Sequence, residues 1–503
     1  MESLQTEERI ITPNPALLIT SLRDIGYSFV SAVADIIDNS ISAHAEHIYI
    51  DSMWNSGKPF LAITDDGIGM SRDELVEAMR FGCRNPLDKR ENEDLGRFGM
   101  GMKTASISQC RKLVVLSKKR KSMAIAIWDV DSIYEAISPQ WALTVTQEID
   151  GCNSPDLPPL FEQYLKNKSE GTIVLWEKMD RIGTADSSPN ELEKSHTHQL
   201  ALLKEHLELT FHRFLSPEPG RKKTHIYIND NPLEAFNPFN PKNITTVELP
   251  ERKIHYDGEV ITVQAYVLPH HNKVTAEEYK RYEGAEGYLN SQGFYVYRNK
   301  RLIIKGTWFR LIRRNELNKL IRIRVDIPNT LDHIWRIDIK KSNAELPEAI
   351  KADLKLIIER IQEAGKNVYR HKGYKVKEKI LSPLWRRTDC DGQLSYTVNR
   401  ENPLLERIME ALPEKLQNEL GDYISMLESN FPRDHFFADM GESPEKMKKL
   451  DVDMTILFCL VDRLLDSNPE MSEKELLQTE PFCNYPEQIR GYLNEKRESG
   501  NDN

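Results

Sequence analysis

Three segments carry residue types suited to holding and cutting a phosphate ester. The first is Asp35-Ile-Ile-Asp38-Asn39-Ser40. On a helix, Asp35 and Asn39 are four apart and share a face. A carboxylate beside an amide can activate a water or complete a magnesium shell; the same residue types also cap helix ends. The second is Asp65-Asp66-Gly67-Ile68-Gly69-Met70, directly after the apolar run FLAIT. Its glycines permit close backbone approach and its carboxylate accepts hydrogen bonds, although an Asp-Gly turn alone has the same composition. The third is Gly96-Arg97-Phe98-Gly99-Met100-Gly101-Met102-Lys103-Thr104, which opens a helix. Backbone N–H groups at a glycine-rich helix start bind phosphate, and a lysine in the first turn adds a charge. Neither the Walker spacing nor a dinucleotide fingerprint is present.

The elements that position these segments follow from periodicity. Residues 28–44 read as a helix, with Phe29, Val33, Ile36, Ile37 and Ile41 recurring at three and four. Strand patterns follow at HIYIDSM and PFLAITDD, then a short helix with Ser71 and Glu74 as a capping box. Residues 82–101 form a polar, glycine-rich loop of about 20 residues, too long to be a plain connection. Strands are expected at KLVVLS, MAIAIWDV and GTIVLWEKM, and an amphipathic helix over 191–215. From 222 the pattern changes to THIYIN, EVITVQAYVL, GFYVYRN, RLIIKG, IRIRVDI and IWRIDIK, followed by the helix PEAIKADLKLIIERIQEAG.

The order and spacing of the three segments resemble the GHKL ATPases, which include DNA gyrase B, heat-shock chaperone ATPases, histidine kinases, MutL and the Microrchidia (MORC) proteins. That family's boxes read E-x-x-D-N, D-x-G-x-G and G-x-x-G-x-G. They stand here as Asp35–Asn39, Asp65–Gly69 and Gly96–Gly101, and Gly171-Thr172 before IVLW looks like the last nucleotide-domain motif. The lid form FGMGMK and the later YVYRNKRLI are similar to MORC segments. Bacterial MORC/MutL-like single-chain proteins are the branch resembled, because no phospho-acceptor helix pair fits in the 34 residues before Asp35 and neither a gyrase-type metal domain nor the MutL endonuclease motif is visible.

The resemblance implies an α+β chain: a Bergerat-type α/β sandwich over 1–215, a ribosomal-protein-like transducer over 222–366 and a mostly helical, acidic region over 367–503. It implies that Asp65 takes the adenine amino group, that Gly67, Gly69, Met70 and Thr172 help to bind the nucleotide, and that Asn39 holds Mg2+. Gly96 through Thr104 would surround the phosphates of ATP, with Gly99, Gly101 and Lys103 touching them. Asp35 would be the general base, one methylene shorter than the family's Glu, so binding is expected more firmly than fast turnover. Lys341, with Lys340 as the other candidate, would reach the γ-phosphate. An ATP-dependent homodimer clamp is implied, on DNA or on a protein client, with the C-terminal region as a partner surface.

Composition agrees with this class. The 503 residues suggest about three domains, and no apolar run reaches the ~20 residues of a membrane span. The opening residues lack a signal-peptide pattern, so a cytoplasmic protein with reduced thiols is expected; none of the six cysteines makes a CxxC pair. Residues 388–503 hold 12 basic against 25 acidic side chains. Residues 298–324 hold ten Lys and Arg with one acid, interleaved with Trp308 and Phe309, a pattern that fits either a DNA-backbone surface or a solvated or ATP-side cluster.

Overall fold

The hydrophobic alternation of the first half builds a single eight-stranded sheet. The computed structural model describes residues 13–24, 26–81, 101–120, 122–136, 140–183, 187–332, 334–335, 346–370, 382–390, 393–433, 435–436 and 452–500. The chain divides into two units, Met1–Arg370 and His371–Asn503.

The first sheet contains β1 (His47–Met53), β2 (Phe60–Asp65), β3 (Cys110–Lys119), β4 (Ser122–Asp129), β5 (Thr144–Thr146), β6 (Gly171–Met179), β7 (His225–Ile228) and β8 (Asn231–Pro232). Their order is β5-β4-β3-β6-β2-β1-β7-β8. All pairs are antiparallel except β1 with β7. On one face lie α1 (Pro15–Arg23), α2 (Phe29–Ser42), α3 (Arg72–Met79), α4 (Gly101–Gln109) and, after the short α5 (Val130–Glu135) and α6 (Leu157–Leu160), the long α7 (Pro189–Thr210) with α8 (His212–Leu215). The opposite face is covered by α6 and the turn after it. Strand β2 therefore reads as a continuous apolar run: Leu61 and Ile63 face the helices, Phe60 and Ala62 the other layer.

The second sheet contains β9 (Val247–Glu248), β10 (Arg252–Tyr256), β11 (Glu259–Val267), β12 (Gly293–Arg298), β13 (Arg301–Thr307) and β14 (Ile321–Ile327), in the order β10-β11-β14-β12-β13 with β9 on β11. Helices α9 (Ala276–Glu283) and α10 (Gly287–Asn290) precede β12, and α11 (Glu348–Arg370) buries Ile350, Leu354, Ile357, Ile358 and Ile361 in this core. Strand pairing corrects the domain boundary expected at 222. His225–Ile228 pairs in parallel with β1, so the first sheet extends past that point, and the second begins at β9. Of IWRIDIK, Ile334 and Trp335 form a turn; the remainder lies outside the described residues.

The unit from His371 is mainly helical, with Pro403–Ala411, Glu414–Ser429, Met454–Ser467 and Pro486–Gly500 around a core of Leu457, Val461, Leu464, Phe482 and Ile489. It also contains a hairpin, β15 (Trp385–Cys390) with β16 (Gln393–Val398), where no strand was expected.

Candidate nucleotide site

Helix α2 starts at a reciprocal cap in which Ser28 Oγ accepts from the Ser31 amide and Ser31 Oγ accepts from the Ser28 amide. Its apolar residues turn Ala32, Val33, Ile36 and Ile37 into the core, which fixes its rotation. Asp35 and Asp38 are buried with them, whereas Asn39 is exposed. The Tyr27 hydroxyl donates to Asp35 Oδ2 at 2.9 Å. Arg301, at the start of β13, donates from Nε to Asp38 at 2.8 Å.

Asp65 ends β2 and is the third buried acid of the site. Its Oδ2 accepts the Ser40 hydroxyl at 2.8 Å and its Oδ1 the Gly67 amide at 3.0 Å. Burial pushes its pKa up to about 6, against the opposing effects of the Ser40 hydroxyl and the Gly67 and Thr172 amides. Beside it the Ser117 hydroxyl lies 2.9 Å from Thr172 Oγ1 and accepts the Met70 amide at 2.8 Å. Asp65, Met70, Ser117 and Thr172 thus make one polar patch where β2, β3 and β6 meet.

The two glycines of the Asp-Gly segment have a packing reason. A Cβ on Gly67 would stand 2.7 Å from the Ala43 carbonyl oxygen, and one on Gly69 would stand 2.0 Å from that of Lys118. Gly69 also sits at φ +62°. The close approach that they permit is to neighbouring backbone, which holds Asp65 at the foot of α2.

The start of α4 reaches the same place. A Cβ on Gly101 would stand 3.6 Å from Asp35 Oδ2. Met102 is partly buried and Thr104 fully buried. Lys103 is placed otherwise than expected: it is buried, and its ammonium donates to the carbonyls of Ala78 at 2.8 Å and Arg80 at 2.5 Å, at the end of α3. Helix C-terminal carbonyls attract a cation, which accounts for the placement. Gly96, Arg97, Phe98, Gly99, Met100, Lys340 and Lys341 lie outside the described residues.

The basic run of 298–324 is divided: Arg298, Arg301, Lys319 and Arg322 are buried, whereas Lys305, Arg310, Arg313 and Arg314 are exposed. Arg298 pairs with Asp332 at 2.7 Å, Lys319 with Glu316 at 2.9 Å and Lys305 with Glu286 at 2.7 Å. Arg322 is buried and donates to the carbonyls of Pro238 and Tyr282. Sequence reasoning missed Tyr27, Ser40, Ser117 and Arg301 as site residues. Ser40 adjoins the Asp38-Asn39 pair and was within reach of the motif, and Arg301 lies in the YVYRNKRLI segment and the basic run without being singled out; Tyr27 and Ser117 carry no local signal.

This arrangement fits the groups that the motifs imply. A buried acceptor at a strand end suits an amino group of a base, and an exposed amide beside a helix start suits a hydrated cation near phosphate. Among the described residues no group of three or more His, Cys, Asp or Glu side chains could hold a metal. No helix among the described residues is long and apolar enough to cross a membrane.

Residues 27–157 match the family model described as histidine kinase-, DNA gyrase B- and HSP90-like ATPase. The chain is 33% identical over 90 residues to ATPase morc-1 of Caenorhabditis elegans, a match covering 18% of this chain and 10% of that protein. It is 31% identical over 97 residues to the MORC family CW-type zinc finger protein 3 of Mus musculus, covering 19% and 10%. It is 33% identical over 93 residues to the DNA mismatch repair protein MutL of Thermosipho melanesiensis, covering 18% and 17%. The matches thus span less than a fifth of each relative's own length. The family-model match spans α2, the Asp65 segment and α4. Over residues 27–157 the chain is thus similar to the histidine kinase-, DNA gyrase B- and HSP90-like ATPase family.

Proposed function

We propose that the protein binds Mg-ATP beside α2, hydrolyses it slowly and uses it to close a homodimeric clamp on DNA. The observation that carries the nucleotide reading is the convergence on one helix of Asp35, exposed Asn39 and, through Ser40, the buried carboxylate of Asp65, with the start of α4 beside them. Asp65 accepts the adenine amino hydrogen, and the amides from Gly96 to Thr104 face phosphate. Asn39 would hold magnesium, which when bound neutralises phosphate charge. Asp35 takes the proton of the attacking water, and Lys341 or Lys340 approaches the γ-phosphate. The relatives named for DNA mismatch repair support DNA as the client, and the acidic C-terminal region is proposed as the site of a protein partner. Calorimetry with Mg-ATP tests the nucleotide assignment. Wild type should bind, and Asp65→Asn should lose about fifty-fold or more in affinity, because an amide can present a donor where the base needs an acceptor. Equal affinities would remove Asp65 from the site.

A further inference from the structure

Asp35 and Asp38 lie one helical turn apart, and both are buried. Two buried carboxylates so close repel, and keeping both charged requires a cation. That cation comes from 263 residues further along, out of the second sheet. Arg301 Nε bonds Asp38 at 2.8 Å, while Nη2 of the same guanidinium stands 3.7 Å from Asp35 Oδ1. The guanidinium is itself held: Nη1 donates to the Leu302 carbonyl at 3.2 Å, and the group lies over the Phe211 ring, 5.9 Å from its centre. On its other oxygen Asp35 accepts the Tyr27 hydroxyl. The carboxylate is therefore oriented between a phenol of the first sheet's domain and a guanidinium of the second's.

We infer that Arg301 is a positioning residue for ATP hydrolysis, acting through Asp35 and making the seating of β13 against α2 a condition of turnover. This rests on Asp35 being the general base. A base works only within hydrogen-bond reach of its water, and a misplacement of about 1 Å can cost on the order of a hundredfold in rate. With an aspartate's short arm, the orientation of the carboxylate has little slack to lose. Arg301 is buried and engaged with Asp38, the Leu302 carbonyl and the Phe211 ring, so its loss is expected in the chemical step and not in ATP affinity.

The alternative is an ion pair that only neutralises Asp38. Single-turnover hydrolysis of saturating Mg-ATP, calorimetry and thermal melting of the full chain separate the two. Arg301→Met should slow hydrolysis about thirty-fold or more with ATP affinity within about threefold, and Arg301→Lys should recover most of the rate. Arg301→Met strands a buried charge and can lose stability, so the double variant Arg301→Met/Asp38→Asn is required. It should regain the melting temperature and stay slow. The inference is overturned if rate recovers together with melting temperature in the double variant, or if Arg301→Met hydrolyses at the wild-type rate while Asp35→Asn is inactive. An Asp35→Asn variant as fast as wild type overturns it differently, by removing the base itself.

Discussion

Asp65 titrates in a range where nucleotide affinity is readily measured. Burial raises its pKa to about 6, above the usual carboxylate value, so the apo protein holds a proton there at mildly acidic pH. The adenine amino group needs an acceptor and favours the ionised form. Linkage then fixes the sign: ATP affinity should fall as pH drops through about 6, by at most about tenfold per pH unit, with one proton taken up as nucleotide leaves. For stability the direction is opposite. A carboxylate whose folded pKa lies above its unfolded value contributes most below the unfolded value and loses that contribution as pH rises through the folded one. Asp65→Asn should therefore melt no lower than wild type at pH 7. Its amide oxygen can keep the Gly67 N–H and its amide nitrogen can donate to Ser40, whose hydroxyl turns round. Calorimetric titrations between pH 5 and 8 in buffers of different ionisation enthalpy would measure the proton directly; a flat affinity profile would mean that Asp65 does not meet the base.

At the scale of elements, the Asp-Gly turn shows what a glycine contributes. Gly69 and Gly57 both lie at positive φ, +62° and +89°, but a Cβ on Gly57 meets nothing within 4 Å while one on Gly69 strikes the Lys118 carbonyl at 2.0 Å. Gly57→Ala should cost only the left-handed strain, about 1 kcal/mol. Gly69→Ala should cost about 3 kcal/mol, since β3 backbone must move as well. Urea midpoints of the two variants compare the effects, and equal losses would show that the turn yields freely. The same contrast explains which parts of the fold were legible. Strands β1, β2 and β6, helix α2 and the Ser71 cap carry their periodicity or their cap within a few residues, and they stand where the pattern puts them. Strand β7 was assigned to the wrong sheet because its partner β1 is far back in the chain, and a four-residue strand says nothing of its neighbour. Strand β5 is three residues long, too short to show a period. Of the residues that the fold gathers around α2, Asp35, Asn39 and Asp65 stand out in the sequence because each lies in a short contiguous motif. Arg301 does not: charge in a sequence reads as surface, and the acid that draws it inward is far away in the chain.

For the whole molecule, the distribution of charge bears on how DNA would be held. Arg298, Arg301, Lys305 and Lys319 of the basic run from 298 to 324 are paired with acids within the first unit, and residues 388–503 carry 25 acids against 12 bases. A protein that gripped DNA by phosphate contacts would want those cations free, since each phosphate neutralised adds affinity that salt then removes. A clamp that encloses DNA needs no such grip, because the ring is closed by protein. The two modes differ in what ends them. Phosphate contacts fail with salt, falling on the order of a thousandfold or more between about 50 and 200 mM for six or more contacts. Enclosure survives salt and fails when a free end lets the polymer slide out. With a non-hydrolysable ATP analogue, closed-circular plasmid should stay bound through a high-salt wash, and a cut by a restriction enzyme should release it; without nucleotide neither form should be retained. Equal, salt-sensitive retention of circular and linear DNA would make the protein an ordinary phosphate binder. Retention of neither, with the analogue present, would leave the acidic C-terminal unit and a protein client as the reading to pursue.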